Sequence, residues 1–169
     1  MNRWLFILCL FSSTLSFAQN EPLEAPYKRF PTLPPLQLLL GDSATTYTKN
    51  SLQKNKPTLV MLFSPDCSHC QQTATDLPLF TKRLKGIQIV MATVHGITPM
   101  NEFIKKYKLN EIPDLVVGKD MYFLLPPFFA VKNFPYHAFY DKKGKLISVF
   151  EGSMPLMQIV TEFKKGKAK

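Results

Sequence analysis

Thr58 to Phe63 reads Thr-Leu-Val-Met-Leu-Phe, a continuous apolar run bounded by Pro57 and by Ser64-Pro65. Runs of this length between turn signals predict a strand buried on both faces. Ile87 to Val94 repeats the pattern and predicts a second buried strand. Between them, small or apolar residues at Cys70, Ala74, Leu77 and Leu84 fall on one face of a helix, with a kink expected at Pro78. Met100, Phe103, Ile104 and Tyr107 predict an amphipathic helix over 99–108. Asp114 to Val117 reads as a short strand, and residues 120–130, which contain Pro126-Pro127, as a short interrupted helix.

Tyr136 to Tyr140 and Lys145 to Phe150 form a predicted hairpin around Asp141-Lys142-Lys143-Gly144, where Gly144 is free to take positive φ. Leu156, Ile159, Val160 and Phe163 predict a final amphipathic helix. Upstream, Gln37 to Leu40 and Thr45 to Thr48 flank a Gly41-Asp42 turn as a second, N-terminal hairpin. Pro22, Pro26, Pro31, Pro34 and Pro35 make 19–35 an extended leader rather than a helix. Strand, helix, strand, helix, hairpin, helix is the order of an α/β domain with a central mixed sheet flanked by helices. No internal repeat is evident.

Composition narrows the class. The chain has 169 residues, 46% of them hydrophobic and 20% charged, which fits one domain with a real core and excludes global disorder. Residues 1–18 have the layout of a secretory signal: Arg3, an apolar stretch from Trp4 to Phe11, and Ser16-Phe17-Ala18 as a cleavage site. That stretch is shorter than the roughly 20 residues a spanning helix needs. Cys9 follows Phe6-Ile7-Leu8 with no small residue beside it, which argues against lipid attachment there. The expected layout is signal 1–18, Pro-rich leader 19–35, domain 36–165 and basic tail 166–169. The expected location is periplasmic or secreted, with membrane contact only if the signal stays uncleaved. Loss of Arg3 takes the net charge from +9 to +8. Lys164, Lys165, Lys167 and Lys169 supply part of it, and no basic patch interleaved with aromatics marks a nucleic-acid binder.

The chemistry centres on Cys67-Ser68-His69-Cys70, directly after the first buried strand. Two sulfurs at this spacing in the first turn of a helix come within bonding distance. A bridge there closes a tiny loop and adds little stability, so the pair reads as redox-active. Cys67, at the helix N-terminus where free N–H groups and the macrodipole favour a thiolate, is the expected nucleophile. Cys70, one turn deeper, is the expected resolving cysteine. His69 lies between them and, when protonated, favours the thiolate; Asp66 opposes it with a negative charge.

Taken with the N-terminal hairpin, the segment inserted after the Ile87 strand, and Pro135 followed by Tyr136-His-Ala-Phe-Tyr-Asp141-Lys-Lys-Gly144, this motif resembles the thioredoxin superfamily over roughly residues 30–165. More narrowly it is similar to the exported TlpA/ResA-like thiol-disulfide oxidoreductases. The resemblance implies a thioredoxin fold with an extra N-terminal β-hairpin. It implies a cis proline at Pro135 facing the cysteines, and a substrate groove flanked by Phe134 and Tyr136. It implies no cofactor beyond the Cys67–Cys70 disulfide itself. Its expected partners are cysteine-containing exported proteins, apocytochrome c among them, and an upstream redox partner of unspecified identity; the expected state is a monomer.

The chain departs from the family pattern at five positions. Asp66 stands where an aromatic is usual, Met61 where a buried acid is common, and Thr73 where the TlpA/ResA branch often has Glu. Asp76 lies two turns below Cys70 and is a poor replacement, so the usual proton acceptor for Cys70 is missing. Phe134 and Tyr136 are larger than is common at those sites. A competing reading is copper or zinc binding or delivery by Cys67, Cys70 and a histidine. His137 is the candidate, although strand alternation turns it to the face opposite Tyr136. A peroxidase has only a loose echo in Ser64-x-x-Cys67, and a non-catalytic binding module is the remaining class. His95, before Gly96, reads as a loop residue.

Overall fold

The computed structural model describes residues 24–166. Its elements are α1 (Pro26–Arg29), β1 (Gln37–Leu39), β2 (Thr46–Thr48), β3 (Thr58–Leu62), α2 (Ser68–Asp76), β4 (Gln88–Thr93), α3 (Ile97–Lys106), β5 (Leu115–Asp120), α4 (Leu125–Phe129), β6 (Tyr136–Tyr140), β7 (Leu146–Glu151) and α5 (Leu156–Lys165). The seven strands form one mixed sheet in the order β2-β1-β5-β4-β3-β6-β7. β3, β4 and β5 run parallel, with Leu62 opposite Ala92 and Ala92 opposite Gly118. β6 runs antiparallel to β3 and β7 antiparallel to β6. The α/β class, the central mixed sheet and the N-terminal hairpin are those expected from the sequence.

Every residue of β3 and β4 is buried, because helices cover both faces of the sheet. On one face Leu59, Met61 and Phe63 pack with Cys70, Ala74 and Leu77 of the α2 segment, Met100 and Phe103 of α3, and Ile159 and Phe163 of α5. On the other, Val60, Leu62, Val90 and Ala92 pack with Leu125 and Phe129 of α4 and with Tyr136 and Tyr140. Each Val, Leu, Ile, Met or Phe among them, fully removed from water, contributes about 1.5–3 kcal/mol.

Four local expectations are corrected. The leader is not wholly extended: Pro26–Arg29 make one helical turn begun by proline, and Tyr27 sets its ring 6.0 Å from that of Phe129. The cysteine helix does not run on through a kink at Pro78 but ends at Asp76, followed by a 3₁₀ turn over Leu77–Phe80. Proline has no N–H to continue the α ladder. Pro126 and Pro127 do not interrupt α4 but start it, where missing donors are harmless, and Asp120 Oδ2 accepts the Leu125 N–H at 2.8 Å. β5 extends beyond Val117 to Asp120 because Lys119 and Asp120 pair with Leu39 and Leu38 of the hairpin. Gly118 permits this approach: a Cβ there would lie 2.7 Å from the Leu38 Cβ.

In the β6–β7 turn Gly144 takes φ +75, and the Asp141 carboxylate accepts the Lys143 and Lys145 N–H groups at 2.8 Å each. The leader is stitched to this turn, with Leu33 N–H donating to Gly144 O and Leu146 N–H to Pro31 O. At the same edge Lys49, Lys54, Lys56, Lys142 and Lys143 line an open groove, where among the described residues only Lys56 meets a carboxylate, Asp114, at 2.6 Å. The segment 1–18, expected to be a signal, and most of the expected basic tail lie outside the described residues. Among the described residues no helix is long and apolar enough to cross a membrane.

Candidate active site

The opposite edge of the sheet, where β3, β4 and β5 end and β6 begins, gathers the chemistry. After β3 the chain turns through Ser64-Pro65-Asp66, and the Cys67 N–H donates to Ser64 O at 3.1 Å. Cys67 caps α2: its extended backbone (φ −80, ψ 118) lets its sulfur accept the Cys70 N–H at 3.4 Å. This is the sulfur counterpart of an N-cap oxygen and gives a sulfur anion a backbone donor. The Cys67 thiol donates to Phe134 O at 3.6 Å, across the groove from α2. Both cysteines are free thiols; Cys67 is half-buried and Cys70 wholly buried. Burial pushes the Cys70 thiol far above the ordinary cysteine range, and its hydrogen bond to Cys67 adds to this. The Ser64 backbone and Cys70's own N–H pull weakly the other way.

The remaining candidates are placed as follows. Asp66 and His69 are exposed on the rim. Pro135 is buried, and the Phe134–Pro135 peptide bond is cis. Phe134 is half-buried between the two cores. Tyr136 is the correction: it does not flank the groove. Its side chain is 1% exposed and packs on the α4 side of the sheet, 5.1 Å from the Phe129 ring. Strand alternation carries the residue after Pro135 away from the cysteines.

The same alternation turns His137 to the face that α2 covers, opposite Met61 on β3 and Phe150 on β7. There it is fully buried among Phe139 and Phe150, and among the described residues no group meets either ring nitrogen in good hydrogen-bond geometry. Burial lowers its pKa to about 4, which the Phe150 backbone offsets only in part. Among the described residues no three His, Cys, Asp or Glu side chains are grouped to hold a metal ion. Thr73 spends its hydroxyl on His69 O at 3.0 Å, and Asp76 accepts from Gln72.

One contact was missed in the sequence. His95, beyond the end of β4, sets Nε2 3.1 Å from the Ser64 Oγ, and the same Oγ accepts the Asp66 N–H at 3.4 Å. The signal lies in the parallel register. Leu62 pairs with Ala92, so the residues that follow each strand meet at one edge.

A profile of the thioredoxin-like domain matches residues 46–167, and the chain belongs to that family. Among solved structures it is similar to a secreted disulfide oxidoreductase of Mycobacterium tuberculosis described as homologous to Escherichia coli DsbE. The two share 18% identity and a TM-score of 0.63, over 76% of this chain and 94% of that one. It is also similar to DsbF of the same organism, at 21% identity and TM-score 0.65, over 79% and 98% of the two chains. An exposed lipoprotein thioredoxin of Streptococcus pneumoniae shares 25% identity at TM-score 0.55, over 76% and 98%. No curated protein sequence matches the chain.

Proposed function

We propose that this protein is an exported thiol-disulfide oxidoreductase that exchanges disulfides with cysteine-containing proteins through Cys67 and Cys70. The observation that carries this reading is the asymmetry of the pair. Cys67 is half-buried, with its sulfur between a helix N–H and the Phe134 carbonyl, while Cys70 is sealed beneath it as a thiol. The Cys67 thiolate attacks a substrate disulfide, and one substrate sulfur leaves as a thiol. Cys70 then attacks the Cys67 sulfur of the mixed disulfide, releases the second substrate sulfur and closes Cys67–Cys70. The disulfide is the whole redox equipment. Pro135 and the Phe134 backbone present an extended edge to the substrate chain.

The working direction is reductive, with apocytochrome c as a substrate class and an upstream donor that returns the disulfide to dithiol. The resemblance to the TlpA/ResA branch and the likeness to a DsbE homologue support this. The signal-like N-terminus and the secreted neighbour support export.

The test is equilibration of the mature protein against glutathione or dithiothreitol, with thiol trapping and a mass readout. A reduction potential near about −270 mV is expected; one near about −120 mV overturns the reductive direction. Disulfide exchange that survives Cys67→Ser overturns the reading altogether.

A further inference from the structure

Three hydrogen bonds join the end of β7 to the loop that carries the cis proline. The Glu151 carboxylate accepts the Lys132 N–H on Oε1 at 3.2 Å and the Asn133 side-chain amide on Oε2 at 3.4 Å. One residue on, the Gly152 N–H donates to Pro135 O at 2.8 Å. Phe134 lies between the tied residues, and its carbonyl is the one that accepts the Cys67 thiol at 3.6 Å.

The register of the last two strands makes this possible. Glu151 stands opposite Tyr136, the first residue of β6, so its side chain is level with the loop that enters β6. Gly152 then takes φ +93, and a Cβ there would meet nothing within 4 Å, so glycine serves the path of the backbone rather than a shortage of space. Lys132 and Asn133 are exposed and Phe134 is half-buried. Among the described residues Glu151 is the only side chain that hydrogen-bonds Lys132 or Asn133, and Cys67 the only one that hydrogen-bonds Phe134. No lysine or arginine among them forms an ion pair with Glu151. Its carboxylate therefore acts through these two charge-assisted bonds.

From this geometry we infer that Glu151 is a positioning residue: it clamps the 132–135 loop and so sets the Phe134 backbone against the Cys67 sulfur when a polypeptide disulfide docks. The inference rests on the thiol exchange proposed above. Glu151 touches neither sulfur. It acts through Lys132 and Asn133 on one side of Phe134, while the Gly152 N–H holds Pro135 on the other. A substrate chain that pairs along Phe134 brings its disulfide to Cys67 only while that backbone stays in place. A small disulfide with no backbone to pair needs Cys67 but not the clamp.

The test reacts the reduced mature protein with two disulfides. One is a disulfide-linked dimer of a short unstructured peptide; the other is dithiodipyridine. In each case the Cys67 thiolate bonds to one substrate sulfur, the substrate S–S bond breaks, and the second sulfur leaves as a thiolate, so no outside oxidant or reductant enters. Acid quenching and intact mass follow loss of the free dithiol with the peptide, and thiopyridone absorbance follows the small disulfide. Glu151→Ala is expected to slow the peptide reaction about tenfold more than the dithiodipyridine reaction. Asn133→Ala, which removes one donor from an exposed loop and leaves β7 intact, moves the ratio the same way by a smaller factor. Glu151→Gln recovers most of the loss: its oxygen accepts the Lys132 N–H and, with the Asn133 amide turned over, its amide donates to Asn133. Equal slowing of both disulfides in Glu151→Ala, a ratio that neither alanine variant moves, or a Glu151→Gln protein no better than Glu151→Ala overturns the clamp. A native protein that fails to react with the peptide disulfide overturns the proposed function, and the clamp with it.

Discussion

His137 makes the stability of this fold depend on pH in a window that lies mostly above the carboxylate range. Its ring is fully buried between Phe139 and Phe150, with no well-formed hydrogen bond among the described residues, and burial holds its pKa at about 4 against an ordinary value near 6.5. Above pH 6.5 the imidazole is neutral whether the chain is folded or not, and its contribution is intact. As the pH falls below 6.5 the unfolded chain takes up a proton that the folded protein refuses. Stability is then lost by up to about 1.4 kcal/mol per pH unit until the folded ring also charges near pH 4. The whole window is worth about 3 kcal/mol, a large share of the 5–15 kcal/mol of a typical domain. Replacing His137 by Leu removes the titrating group and two unsatisfied ring nitrogens while keeping an apolar side chain in the pocket. Urea unfolding of both proteins at pH 7.5, 6.0, 5.0 and 4.5 should therefore show free energies that diverge towards acid in favour of His137→Leu. Carboxylates cancel in the difference because both proteins share them. A difference that stays flat from pH 7.5 to 4.5 would refute a neutral, buried imidazole at this position.

Gly118→Ala forces a Cβ to within 2.7 Å of the Leu38 Cβ and 3.3 Å of Leu39 O. It is expected to lower stability by about 1–3 kcal/mol, read as a drop in the urea midpoint with unchanged slope. Cys70→Ser removes the resolving sulfur and should accumulate a Cys67-linked mixed disulfide with a substrate peptide; mass spectra showing only free enzyme would count against the order of the two steps. His69→Ala removes the imidazole from the exposed turn between the sulfurs and is expected to make the pair more reducing. An unmoved potential on glutathione titration would make His69 a bystander.

The architecture was largely legible because its signals are strong and local. The uninterrupted runs of β3 and β4 can bury both faces only inside a sheet covered on both sides. The spacing of Met100, Phe103 and Tyr107 admits only a helix. The cysteines were legible because their motif follows a buried strand and precedes a helix. What was not legible depends on register and alternation across the sheet. Tyr136 and His137 are adjacent in sequence yet belong to opposite cores, and the choice between them is made by the pairing of β6 with β3. Ser64 and His95 are 31 residues apart and meet only because the parallel strands before them end level. The proline errors have a different origin. Pro26 and Pro126 sit at first turns, where a missing donor is harmless, and Pro78 sits where α-helix gives way to a 3₁₀ turn; composition alone does not separate these positions.

The lysine-lined groove lies where β3 and β4 begin, and the sulfurs lie where they end. Over the five residues of β3 those two poles stand about 17 Å apart, beyond one Debye length at physiological salt. The charge of that groove is therefore largely screened from the sulfurs. A negatively charged surface that met the lysine groove would leave the thiols facing away from it. Ionic strength should accordingly alter how the protein is oriented at such a surface more than how fast its sulfurs react.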